Sequence, residues 1–110
     1  MSDIVLFHVG NPSFREKILK EGLTPQFGDS YKSHYESSYL DMGKAIFVSS
    51  VNDYDSTYDD DRYQITLTKE EFDSLNFKKD LDVENALYTN EMINMRNIKL
   101  IHTGSGESTF

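Results

Sequence analysis

The residues best suited to chemistry in this chain are three histidines, a pair of serines behind an apolar run, a dense group of aspartates and a set of regularly spaced tyrosines. His8 follows the run Ile4-Val5-Leu6-Phe7. An imidazole there can take a ligand hydrogen bond, or it can complete the packing at a strand end. His34 and His102 share no helical spacing with it, and the chain has no cysteine, so no metal site is expected. Ser49 and Ser50 follow Ala45-Ile46-Phe47-Val48. Their hydroxyls either tie up backbone groups in a turn or bond a ligand, and nothing places a base beside them for a Ser-His-acid triad. Asp53, Asp55, Asp59, Asp60 and Asp61 suggest a calcium loop but lack the central glycine and closing glutamate of one. Such a cluster is either a solvated loop or a patch for a basic partner. Tyr31, Tyr35 and Tyr39 recur every fourth residue, as do Tyr54 and Tyr58. Each set could pack one face of a helical turn on the core, and the first lies in a loop that folds over something. Gly10, Gly104 and Gly106 form no phosphate-cradling loop, since no helix follows at the required spacing.

The elements that must hold these residues follow from hydrophobic periodicity and punctuation. Residues 4–7 read as a buried strand continuing through His8 and Val9 and stopped by Gly10-Asn11-Pro12. A helix follows, either capped by Asn11 with Pro12 at its first position or opened by a Ser13/Glu16 capping box. Phe14, Ile18 and Leu19 form its expected core stripe, Gly22 ends it and Pro25 prevents its return. Residues 24–42 are a long polar, tyrosine-bearing loop expected to fold over something. Residues 45–48 read as a central strand, and residues 63–67 alternate as a strand with one wetter face. Thr68 and Glu71 form a capping box for a short second helix ending near Leu75. Leu75, Phe77 and Leu81 would anchor the next loop. Residues 86–88 and 98–102 are short strands, and residues 104–110 read as a frayed polar tail. The pattern predicts an α+β fold with one N-terminal helix and a second short helix, in one domain over residues 1–110 with a flexible tail from 103.

Composition narrows the functional classes. The 110 residues carry a net charge of -8, with eleven Lys and Arg against nineteen Asp and Glu. That disfavours nucleic acid, whose phosphates need cationic contacts. It suits a solvated acidic surface, a cationic partner or mimicry of nucleic acid, and the expected partner or acceptor is a protein. Without cysteine there is no disulfide framework and no thiolate chemistry. Met1-Ser2-Asp3 lacks a positively charged lead-in, and no run approaches the ~20 apolar residues of a membrane span. The expectation is a cytoplasmic protein without a membrane segment.

Three blocks of this chain resemble ADP-ribosyltransferase-like domains. The opening Leu6-Phe7-His8-Val9-Gly10, followed by Ile18-Leu19-Lys20-Glu21-Gly22-Leu23-Thr24-Pro25, resembles the family's first strand, helix and Gly-Leu-x-Pro exit. Gly43-Lys44-Ala45-Ile46-Phe47-Val48-Ser49-Ser50 is similar to its second strand. Leu87-Tyr88-Thr89-Asn90-Glu91-Met92-Ile93, with Arg96-Asn97-Ile98-Lys99-Leu100-Ile101, is similar to its closing strand, turn and strand. The resemblance spans residues 4–101 and implies a split pair of small sheets clamping NAD+, which the enzymes consume as substrate. It implies that His8, with Gly10 beside it, holds a ribose. Phe47 stands where a tyrosine stacks on nicotinamide, and its ring keeps the π-face. Ser49 would assist at the nicotinamide ribose or amide, and Tyr35 would belong to the lid. The family's catalytic glutamate aligns near Ala86 or Leu87, with Glu84 and Glu91 as the nearby carboxylates. The implied function is transfer of ADP-ribose to a protein or nucleic-acid acceptor. The alternative is a binding protein or inhibitor on the same fold, viral or mobile-element in origin, that lacks the chemistry and acts through its acidic or aromatic loop surface. The related RNA 2′-phosphotransferases share the opening, but Arg15, Arg62 and Arg96 fall in no phosphate motif.

Overall fold

The computed structural model describes residues 3–25, 44–52, 59–80 and 84–108. Its strands are β1 (Ile4–Gly10), β2 (Ile46–Ser49), β3 (Asp61–Leu67), β4 (Lys78–Lys79), β5 (Ala86–Thr89) and β6 (Ile98–His102). Among the described residues they form one antiparallel sheet in the order β4-β5-β2-β1-β3-β6. The chain is thus a small α+β domain, with β1, the most continuous apolar run, inside the sheet.

β1 pairs with β3 along its whole length, from Ile4↔Leu67 to Gly10↔Asp61. The strict alternation of β3 buries Asp61, Tyr63, Ile65 and Leu67 on one face. Their partners Leu6, His8 and Gly10 share that face. Helix α1 (Arg15–Glu21) follows a 3₁₀ turn, Pro12–Phe14. Asn11 caps that turn, its side-chain oxygen accepting the Ser13 N–H at 2.9 Å. α1 ends at Gly22, whose φ is 89°. A Cβ at this position would lie 2.4 Å from the Ile93 carbonyl oxygen, so glycine is needed both for its backbone angle and for the close approach. Leu23 and Ile93 exchange two backbone hydrogen bonds at 3.0 Å.

Of the expected stripe Phe14, Ile18 and Leu19, Ile18 alone is buried. Phe14 and Leu19 are 48% and 43% exposed. Phe14 sits in the 3₁₀ turn, whose tighter winding rotates it away from Ile18. The second helix, α2 (Lys69–Ser74), carries the expected capping box between Thr68 and Glu71. Behind it Phe72 stacks on Phe77 at 5.1 Å. Both rings, with Leu75, pack against the core, while Leu81 lies outside the described residues.

Two expectations are corrected. The strands do not divide into two sheets, but the single sheet is thin at one junction: β1 and β2 share the one register pair Phe7↔Ser49. The C-terminal segment is not frayed over residues 104–107. Gly104 is buried, and its N–H donates to Asp61 Oδ1 at 2.7 Å. Gly106 N–H donates to the Asp59 carbonyl at 2.9 Å, and Asp59 N–H donates to the Glu107 carbonyl at 2.8 Å. Polar composition suggested fraying, whereas long-range backbone pairing holds the segment. No helix among the described residues is long and apolar enough to cross a membrane.

Candidate functional site

The thin junction of the sheet is where the chemistry-bearing residues gather. If the β1–β2 register continued past Phe7↔Ser49, Val9 would stand opposite Phe47 and their backbones would pair. They do not. The His8 side chain reaches across instead, its Nδ1 lying 2.7 Å from the Phe47 carbonyl oxygen. The imidazole therefore links the strands beyond the last register pair.

This contact sets the state of the ring. Burial pulls the His8 pKa below its ordinary value, opposed by the hydrogen bond to Phe47. The neutral ring carries one proton. A carbonyl can only accept, so that proton sits on Nδ1 and leaves Nε2 as a lone-pair acceptor. The missing side chain of Gly10 leaves a methyl-sized gap beside it. A Cβ on Gly10 would lie 3.6 Å from His8 Nε2, and 3.7 Å from both Ile18 Cδ1 and Tyr63 Cε2. Among the described residues no donor reaches Nε2. A half-buried, neutral acceptor in such a niche is suited to an O–H group, a sugar hydroxyl among others.

His8 and Gly10 thus lie together on the α1 face. Phe47 and Ser49 lie on the opposite face, because Ser49 pairs with Phe7 rather than with His8. The Phe47 ring meets Tyr88 at 6.0 Å, and Lys78 Nζ stands 5.7 Å from the Tyr88 centroid. Ser49 Oγ accepts the Val51 N–H at 3.2 Å and Ser50 Oγ donates to the Asn85 carbonyl at 3.3 Å, which is turn chemistry. Glu84 is exposed in the turn before β5, and Glu91 is exposed just after it, its N–H donating to Thr89 Oγ1 at 3.1 Å. Where the resemblance would place a glutamate, Ala86 is buried and Leu87 packs against the core. Tyr35, with the rest of its set, lies outside the described residues. Among those residues no group of three or more His, Asp or Glu could hold a metal ion.

Sequence reasoning missed the group that anchors this corner. Asp61 is fully buried opposite Gly10. Arg15 grips it with both arms, Nε to Oδ2 at 2.8 Å and Nη2 to Oδ1 at 2.7 Å. Arg15 Nη2 also donates to the Gly104 carbonyl at 3.0 Å, and Tyr63 Oη donates to Asp61 Oδ2 at 3.3 Å. The Arg15 bonds, helped by the Gly104 N–H, hold the Asp61 carboxyl below the usual carboxylate range against the cost of burial. Burial and the adjacent Asp61 charge push the Tyr63 phenol up to about 12. By composition Asp61 belongs with its acidic neighbours. Extending the alternation of residues 63–67 back by two would have set it on the buried face.

Comparison with known protein families, with curated proteins and with solved structures finds no match for this chain.

Proposed function

We propose that this domain binds NAD+ at the thin junction of β1 and β2 and acts as an ADP-ribosyltransferase-like protein. The observation that carries this reading is the His8 bridge. It links the two strands where their register ends, fixes the tautomer and leaves Nε2 beside Gly10 with no donor among the described residues. A ribose hydroxyl of the dinucleotide would donate to Nε2. Breaking the nicotinamide–ribose bond builds positive charge on the sugar, which a fixed carboxylate stabilises, while the rest of the site contributes positioning. Glu84 and Glu91, at the two ends of β5, are the carboxylates available for that role. Phe47, with Tyr88, supplies an aromatic surface on the far side of the seam.

A second reading is favoured by one observation. Ala86 and Leu87 occupy the aligned stretch of β5 with apolar side chains, so the domain would bind its ligand or a protein partner without transferring anything. Thermal unfolding with and without NAD+ separates the cases. Ligand at 100 times its dissociation constant adds about 2.7 kcal/mol. For a domain this size that is a shift of about 10 °C or more. His8→Ala should lose the shift. If the unaltered protein shows none, NAD+ binding is refuted. If it shifts but labelled NAD+ yields no transfer, the binding reading stands.

A further inference from the structure

The two walls of the gap at Gly10 come from different elements. Tyr63 of β3 supplies one and Ile18 of α1 the other, each 3.7 Å from where a Cβ on Gly10 would stand, with His8 Nε2 at 3.6 Å. Apolar contact holds a helix against a sheet without direction, so packing alone does not fix where Ile18 sits along the gap. A ring is free in the same way until its polar end is tied.

One carboxylate ties both. Asp61 stands opposite Gly10, and Tyr63 opposite His8, on the shared face of β1 and β3. Tyr63 Oη donates to Asp61 Oδ2 at 3.3 Å, which anchors the far end of the ring. Arg15 bonds both carboxylate oxygens, at 2.8 and 2.7 Å, and lies three residues before Ile18 on the same side of α1. Its planar fork fixes an orientation as well as a distance. The Gly104 N–H takes the remaining site at 2.7 Å. Four hydrogen bonds fill the acceptor capacity of the two oxygens, and the residue is wholly buried. Asp61 therefore acts through its partners and touches no ligand itself. A buried ion pair is a poor source of stability, since well-packed apolar residues of similar volume do as well. What it supplies at this corner is direction.

We propose that Asp61 is the positioning residue of the His8 site: through Tyr63 and Arg15 it holds both walls of the gap at Gly10, so that a ligand hydroxyl meets Nε2 in line. This rests on the reading of His8 Nε2 as the acceptor of that hydroxyl.

Replacing Asp61 itself disturbs the fold, so the test replaces its partners in the whole chain. Arg15→Lys keeps the charge and loses the fork, and Tyr63→Phe keeps the ring and loses the hydroxyl. Asp73→Ala, in an exposed pair on α2, is the control. NMR reads the nuclear Overhauser contacts from Gly10 to the Ile18 methyl and to the ring at position 63 in the free protein. NAD+ affinity is then read by titration of the His8 and Gly10 signals. Arg15→Lys should weaken the Ile18 contact and spare the ring contact, and Tyr63→Phe should do the reverse. Each should lower NAD+ affinity about tenfold, the worth of one well-made hydrogen bond. Asp73→Ala should change none of these. Unchanged Gly10 contacts in both variants, with Tm lowered, would overturn the proposal, since Asp61 would then hold only the fold. So would loosened contacts with unchanged NAD+ affinity. A lack of NAD+ binding by the unaltered protein refutes the NAD+ reading instead, and the Gly10 contacts alone then decide the positioning role.

Discussion

Replacing Asp61 by alanine tests whether the buried ion pair holds the end of β1 and the C-terminal segment together. The carboxylate is wholly buried, while the Arg15 side chain is 31% exposed. On truncation the guanidinium can turn partly to water, but the buried Gly104 N–H and the Tyr63 hydroxyl lose an acceptor. Each such donor costs about 1–3 kcal/mol when left unpaired, and losing one partner of a buried pair costs about 3–5 kcal/mol. We expect a loss of about 4 kcal/mol, or a fall of about 15 °C or more in Tm, by thermal and urea unfolding. The exposed pair Lys69–Asp73, at 3.3 Å with side chains 65% and 59% exposed, is the internal comparison. Asp73→Ala should cost about 0.5 kcal/mol or less. The pH dependence carries its own sign. Because the folded Asp61 pKa is depressed, its stabilisation is complete above the ordinary aspartate range and is lost as pH falls through the lower folded value. The gap between the native chain and Asp61→Ala should therefore close in acid. A loss below about 1 kcal/mol at neutral pH, the level of an exposed pair, would refute the reasoning.

Two further predictions concern the seam and the C-terminal segment. The His8 pKa is lowered, so its contribution to stability is whole above about 6.5, the ordinary histidine value, and declines as pH falls from there toward the folded value. Imidazole NMR should find His8 neutral with its proton on Nδ1 at neutral pH, and titration at or above the ordinary value would contradict that state. At the other site, a Cβ on Gly104 would lie 2.1 Å from the Asp59 carbonyl oxygen and 2.5 Å from the Asp60 carbonyl carbon. Gly104→Ala should cost about 2 kcal/mol or more and speed amide exchange at residues 105–107. Gly106→Ala would meet Pro12 at ordinary contact distance, 3.8 Å from Cγ, but at a φ of 78°, and should cost about 1 kcal/mol. The reverse order would show that the segment is not packed as described.

Local signals in this chain suffice for most of its elements. The apolar run at residues 4–7, the alternation at 63–67, the Thr68/Glu71 box and the glycine stop at Gly22 each act within a few residues, and the corresponding strands and helices form there. The short β4 escaped notice because two lysines carry no strand signal; its pairing with β5 creates it. That His8 and Gly10 share one face of β1 was legible, because alternate residues of a strand point the same way. Their partners were not. The His8–Phe47 bond closes a separation of 39 residues and the Arg15–Asp61 pair one of 46. Which of several aspartates is buried depends on strand register, which turns alternate side chains to opposite faces. The same rule parts Phe47 and Ser49 from His8. Residue types and their order determined both helices and every strand but β4, which pairing with β5 creates. Sheet pairing decided which side chains meet, because hydrogen-bond register and desolvation act between segments that are distant along the chain.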